Sequence, residues 1–335
     1  MRQTSLLITV SLFLLFILVF LNLFSGSVSF SMAEVVAALT GGETSDTVRF
    51  IVVESRLPQA VTAMLSGAAL AVSGLMMQTV FQNPLADPSI LGVNSGASLG
   101  VAVVMLLLGG SVLTAGSVAG GFLLIVLAAF SGALLIIVLL LVFANHVRSN
   151  TTLLIVGIMV SYVTSSAISL LNYYATEQGV HSYVMWGLGN FGGVNLKVLP
   201  YFSVVVVGCI VLGVSLIKPL NALLLGNRYA ENLGVDVRRT RSLMLFVTGM
   251  VSAVVTAFCG PVSFVGLAVP HIARLLSRSA NHLVLVPLTL LIGADLGLAC
   301  NRICSLPSDG TLIPLNVITP LFGVPVILYV LLRRR

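Results

Sequence analysis

Apolar runs of about 20 residues, the length that crosses a hydrocarbon layer of roughly 30 Å, recur along this chain with polar breaks between them. The pattern predicts ten spanning helices, near 5–24, 57–81, 92–109, 115–143, 151–172, 198–217, 242–259, 262–277, 283–300 and 311–332. No A-x-A site follows the first run, so it reads as a retained helix and not a cleaved signal. The stretch 262–277 is short and is preceded by Gly260 and opened by Pro261, which suits a broken or re-entrant helix. An even number of spans places both termini on one side. With that side cytoplasmic, Arg2, Arg148, Lys218, Arg228, Arg238, Arg239, Arg241, Arg274, Arg278, Arg333, Arg334 and Arg335 lie inside, twelve of the 16 basic residues. Arg49, Arg56, Lys197 and Arg302 are left outside with Glu34, Glu43, Asp46, Glu54, Glu177 and Asp309.

Composition agrees with a lipid-embedded chain. Of 335 residues, 58% are hydrophobic and 8% charged, where a soluble chain carries about 25% charged residues. The expected fold is therefore all-α and polytopic, with residues 1–335 forming one transmembrane domain. The net charge of +6 is scattered between apolar blocks, which excludes a nucleic-acid partner and leaves membrane lipid as the surrounding. Cys209, Cys259, Cys300 and Cys304 have no CxxC or Cys/His spacing and read as small buried hydrophobes. His146, His181, His271 and His282 have no second ligand at i+4, so no metal site is expected. With only Lys197 and Lys218 as lysines and no GxxxxGK[ST], the chain does not hydrolyse nucleotide and carries no catalytic residue.

Several polar features interrupt the apolar blocks. Ser161, Ser165, Ser169 and Asn172 share one helix face at spacings of four, four and three; they line a path, or their hydroxyls bond back to i−4 carbonyls and pack helices. Gly92, Gly96 and Gly100 form a small-xxx-small row that suits close helix packing. Asp295 is an acid within a span, read either as a functional group or as an Asp bonded to backbone or a hydroxyl. Pro88-Ser-Ile-Leu-Gly92-Val and Pro261-Val-Ser-Phe-Val-Gly266-Leu echo each other five helices apart, as an inverted repeat would or as chance would. The longest inner loop, 219–241, carries Gly226 and Gly234 after short blocks, with Tyr229 and Leu233 on one face. It reads as two short surface helices sized for a partner's groove, against a basic loop held by anionic headgroups.

The run Arg56-Leu-Pro58, Gly67-Ala-Ala-Leu-Ala-Val-Ser-Gly74 with Gln78, Asn83-Pro-Leu-Ala-Asp-Pro88 and Leu91-Gly-Val-Asn-Ser-Gly96 resembles the FecCD family, the permease subunits of type II ABC importers for iron-siderophores, haem and vitamin B12. Further matches are Pro219-Leu-Asn221, Leu225-Gly226, Leu233-Gly-Val235, Gly260-Pro-Val-Ser-Phe-Val-Gly-Leu-Ala-Val-Pro-His271 with Arg274, Ala294-Asp295 and Gly323-Val-Pro325, over roughly residues 50 to 335. The resemblance implies ten helices per subunit, a homodimer, two cytoplasmic ATPase subunits that hold ATP and Mg, and a periplasmic binding protein, in a bacterial inner membrane with both termini cytoplasmic. It implies that Leu225, Gly226, Arg228, Tyr229, Ala230, Glu231, Leu233 and Gly234 couple to the ATPase. Asn83, Pro84 and Leu85 then form a gate with the path face Ser161, Ser165, Ser169 and Asn172, and residues 145–151 are a second gate candidate. Arg56 and Arg302 would dock the binding protein from the outer rim. Gln59 stands where many members carry arginine, Leu298 to Ile313 is longer than usual with Arg302 one turn late, and Pro314-Leu-Asn316 replaces Pro-x-Gly. An ion-coupled secondary transporter is the other functional class; one acid in ten spans argues against it.

Overall fold

Side-chain caps at Ser31, Ser45, Ser149, Thr176, Asp236 and Asn281 fix where six of these helices start. The computed structural model describes residues 2–26, 28, 30–107, 118–147, 149–307 and 312–333. Arg148, Asp309, Arg334 and Arg335, counted in the topology above, lie outside them, as do the adjoining ends of the third and fourth expected spans. The helices are α1 (Arg2–Phe24), α2 (Met32–Thr40), α3 (Asp46–Val80), α4 (Val93–Leu107), α5 (Val118–His146), α6 (Asn150–Tyr174) and α7 (Glu177–Gly187). They continue with α8 (Leu199–Ser215), α9 (Ile217–Leu223), α10 (Asn227–Asn232), α11 (Val237–Cys259), α12 (Val265–Ser277), α13 (His282–Cys304) and α14 (Leu315–Arg333). No strand occurs among the described residues.

Each of the ten apolar stretches contains a helix among the described residues. Among the described residues six helices are long and apolar enough to cross a membrane, α8 with α9 makes a seventh bent by 51°, and α4, α12 and Leu315–Val330 are shorter apolar helices. Three helices differ in extent from the sequence reading, and two others were not expected. α3 starts at Asp46 and not at 57, because Ser45 caps it and a π-helical stretch, Phe50–Arg56, carries the chain into the apolar part. Arg56 is thus on a helix and not in a loop. α11 starts at Val237 under an Asp236 cap, so Arg238, Arg239 and Arg241 belong to its first turns. α12 is only 13 residues long. α2 and α7 were not expected, although Ser31 and Glu34 form a capping box and Thr176 caps α7.

Contacts divide the chain into two compact units. The first contains Met1–Val72, Asn190–Ile210 and Ser263–Arg335. Here α1 is tied to α13 by Asn22, whose Nδ2 donates to the Leu298 carbonyl (3.1 Å) and whose Oδ1 accepts from Asn301 (2.8 Å). Gly67 of α3 meets Gly293 and Gly297 of α13 so closely that a Cβ on Gly67 would strike the Gly293 carbonyl. Val35, Ala38, Val48 and Val52 make a small core under Phe24 and Phe30.

The second unit contains Ser73–Gly189 and Val211–Val262. Gly96 and Gly100 of α4 lie against Gly132 and Ala128 of α5, the packing use expected of that row. Gly92 does a different task. At φ +84° it closes the Pro88–Leu91 turn and sits against Ser161 and Gly157 of α6. Asn94 of α4 accepts from Ser252 (2.8 Å) and Thr256 (3.1 Å) of α11. The two echoing stretches share a local device: Gly92 and Phe264 both have positive φ immediately before a short apolar helix.

Candidate functional site

The second unit gathers the inner-loop residues. α9 stops at Leu223, Gly226 (φ +99°) turns the chain into α10, and Gly234 (φ +82°) ends it while Val235 N–H donates back to the Ala230 carbonyl (3.0 Å). Glycine carries both turns because left-handed backbone costs it little. Ala230 is fully buried and anchors α10, whereas Leu225 (63%), Tyr229 (52%) and Leu233 (59%) project outward. These three large apolar side chains form an exposed apolar patch on a polar loop. Arg228 and Glu231 are exposed beside them. A cavity of about 530 Å³ is lined by Gln82 with Leu225, Gly226, Asn227, Arg228, Tyr229 and Asn232. Gln82 Nε2 also donates to the Leu223 carbonyl (3.3 Å).

The neighbouring turn follows from Pro84. Asn83 Oδ1 accepts from Leu85 N–H (3.0 Å) and the Asn83 carbonyl accepts from Ala86 (3.1 Å), giving an Asx-type turn with Leu85 exposed. Asp87, buried, accepts from Ser89 N–H (2.9 Å) and starts the next turn. Burial pushes its carboxyl up from the usual carboxylate range against the lowering effect of the Ser89 bonds. Of the polar row on α6, Ser161 bonds to the Gly157 carbonyl and Ser169 to the Ser165 carbonyl, both at 3.0 Å, the self-bonding alternative. Ser165 and Ser169 remain exposed and Ser161 and Asn172 half-buried. This row is not part of the cavity at α10.

The first unit holds a separate polar cavity of about 290 Å³, lined among others by Asn22, Ser25, Arg56, Gln59, Asn301 and Arg302. Arg302 is half-buried and donates to Ser25 Oγ (2.6 Å). Arg56 departs from the exposed rim arginine implied above. It is 8% exposed, donates to the Leu23 carbonyl (3.0 Å) and the Val28 carbonyl, and has Phe30 over its guanidinium at 5.1 Å. The carbonyls left open at the end of α1 draw it inward. Asp295 is 6% exposed and its Oδ1 has no hydrogen-bond partner, so the bonded reading does not hold for that oxygen.

The FecCD transport family matches residues 14–333. The chain belongs to that family. It is a FecCD-type ABC-importer permease, all-α and with several apolar helices. Among its relatives, the vitamin B12 import system permease BtuC of Klebsiella pneumoniae is 34% identical over 84% of this chain and 82% of its own length. The hemin transport system permease HmuU of Yersinia pestis is 32% identical over 96% and 95%. The molybdate import system permease MolB of Haemophilus influenzae is 34% identical over 82% and 79%. A solved chain described as a metal-chelate type ABC transporter in an inward-facing conformation superposes with a TM-score of 0.81, at 30% identity, over 98% of this chain and 99% of that one.

Within this FecCD frame the sequence reading held Asn150 only as one of the 145–151 gate candidates, and it gave no site role to Arg241 or to Asn22, Ser25 and Asn301 at the polar cavity. Asn22 had a signal, being an amide inside an otherwise apolar run. Asn150 had one as well: Val80 lies four residues before Pro84, which has no N–H to offer it.

Proposed function

We propose that this chain is the membrane half of an ATP-driven importer that carries a bulky metal chelate, an iron-siderophore, haem or cobalamin, from periplasm to cytoplasm by alternating access. Residues 1–335 act as one permease domain, paired with a second copy in the bacterial inner membrane, with both termini cytoplasmic. Two ATPase subunits bind ATP and Mg and hydrolyse the ATP, and a periplasmic binding protein delivers the cargo. The observation that carries the reading is α10: a short helix pinned by buried Ala230 between two left-handed glycines, presenting Leu225, Tyr229 and Leu233 beside a cavity. A nonpolar knob of this size suits a groove on an ATPase subunit, and Arg228 and Glu231 give its rim charge. Asn83, Pro84 and Leu85, with the face Ser161, Ser165, Ser169 and Asn172, form the gate and path. Arg302 is the better placed of the two arginines to meet an acidic group on the binding protein, with Arg56 shaping the rim behind it. Whole-length similarity to a hemin permease supports haem, and the vitamin B12 and molybdate relatives define the competing cargoes to test.

The test is uptake into vesicles of hemin, cobalamin, ferric siderophores and molybdate, with and without ATPase subunits and binding protein. ATP-dependent accumulation of one metal chelate is expected, and accumulation by the chain alone under a proton or sodium gradient would overturn the proposal in favour of a secondary transporter. Gly234→Pro should abolish uptake while leaving the chain inserted, because proline cannot adopt positive φ. Unchanged uptake in that variant refutes the coupling role of α10.

A further inference from the structure

The last turn of α3 has one carbonyl that the backbone following it cannot satisfy. Met77, Gln78 and Thr79 carbonyls accept from the N–H groups of Phe81, Asn83 and Gln82. Val80 would pair with residue 84, but that residue is proline and has no N–H. The Val80 carbonyl is taken instead by Asn150 Nδ2 at 2.7 Å. Asn150 is the first residue of α6, the helix that carries the path face, and follows a Ser149 cap. Its other amide atom, Oδ1, accepts from Arg241 Nη1 at 3.3 Å.

Arg241 sits on the second turn of α11, which follows α10 directly, and is 9% exposed. Its Nη2 also donates to the Val147 carbonyl (2.9 Å) and to the Ala144 carbonyl at the end of α5, while Arg238 reaches Asn145. One arginine and one asparagine therefore tie together the start of α11, the end of α5, the start of α6 and the end of α3, three residues before Asn83. On the other side of α10, Gln82 holds the Leu223 carbonyl. Gln82 does so with φ +48°, a backbone state uncommon for a residue other than glycine, and such outliers gather where structure is over-determined.

We propose that Asn150, held by Arg241, is a positioning residue that makes the Asn83–Ala86 turn follow the movement of α10 and α11. The inference rests on the proposal that α10 meets an ATPase subunit, and goes beyond it by naming the connection between that contact and the gate. A side-chain amide is required because it must accept from the guanidinium and donate to the carbonyl at once. Aspartate can only accept when ionised, so Asn150→Asp keeps the Arg241 contact and loses the Val80 bond.

The experiment measures amide hydrogen exchange in the full chain, assembled with its ATPase subunits in lipid nanodiscs, with and without vanadate trapping. In the wild type, trapping should alter exchange over 227–235 and 81–87 together. In Asn150→Asp the response at 227–235 should persist and that at 81–87 should vanish, with untrapped exchange at 81–87 faster by roughly five-fold, the loss of one hydrogen bond. ATP hydrolysis should continue in that variant. A preserved response at 81–87 overturns the inference. No response at 227–235 in the wild type instead refutes the ATPase contact itself. Should Asn150→Asp fail to assemble, Arg241→Lys serves: lysine cannot hold Asn150 and two carbonyls in one plane, so the same separation is expected, and its absence counts against the linkage. Asn150→Gln retains both functions of the amide, and partial recovery of the 81–87 response there separates positioning from general loss of packing.

Discussion

Each unit buries one arginine to close the end of a long apolar helix, and the two are used differently. Arg56 serves the end of α1 through Leu23 and Val28; Arg241 serves the end of α5 through Ala144 and Val147. Their exposures are 8% and 9%. The physics is shared: the last carbonyls of a helix lack partners, the helix end carries partial negative charge, and a guanidinium presents several donors in one plane. Arg56 closes a local knot, with Phe30 over its face and Gly26 and the Val28 carbonyl beside it. Arg241 gives its Nη1 to Asn150 and through it reaches α3, while its buried Nε has no hydrogen-bond partner. A local staple should influence stability alone; a connector should also influence how elements move together.

The largest expected effect breaks both at once. Arg241→Ala leaves the Ala144, Val147 and Asn150 oxygens without their donor, and Arg56→Ala does so for Leu23 and Val28. A buried acceptor left unpaired costs about 1–3 kcal/mol, so each variant should lower the midpoint of thermal unfolding in detergent. The difference lies in the second readout: Arg241→Ala should also reduce transport per ATP hydrolysed, whereas Arg56→Ala, once stable enough to assay, should not. Equal loss of coupling in both would erase the distinction between staple and connector.

A smaller effect sharpens the outer half. Arg302→Glu reverses a half-buried charge at the rim of the cavity, and rim charges act chiefly on association rates. Capture of the loaded binding protein should slow several-fold at low salt and less at high salt. An unchanged association rate would leave Arg302 as a second staple, through Ser25, and nothing more.

How much of this could be read beforehand varies with the range of the interaction. The positions of the apolar helices followed from hydropathy because lipid imposes its thickness on a span, although among the described residues only six reach that length, or seven with the bent α8 and α9. α10 and its stops followed from Gly226 and Gly234, since backbone sign is a local matter. Arg56 and Arg241 were assigned to loops because charge was counted by position. Their carbonyl partners lie 28–33 and 94–97 residues away, and no local pattern encodes such a distance. α2 went unseen for another reason: its nine residues are too few for a span, and the Ser31–Glu34 capping box was a signal left unused. The Val80–Pro84 spacing was likewise visible, but only the fold shows that Asn150 answers it.

The smallest expected effect concerns charge near the connector. Asp87 is buried two residues after Leu85 and its carboxyl is pushed up by burial, against the lowering Ser89 bonds. A folded-state pKa above the unfolded one means the folded chain holds the proton more tightly, so this group favours folding most below the unfolded pKa and progressively less as pH rises through the folded one. Asp87→Asn keeps an oxygen to accept from Ser89 N–H and removes the charge. Unfolding midpoints measured from acid to neutral pH should therefore fall less steeply with rising pH in the variant, and the variant should match or exceed the wild type at neutral pH. Were the wild-type slope absent, the turn would be reading hydrogen-bond geometry alone, like the staple at Arg56, and charge at Asp87 would play no part in how the Val80 end of α3 is held.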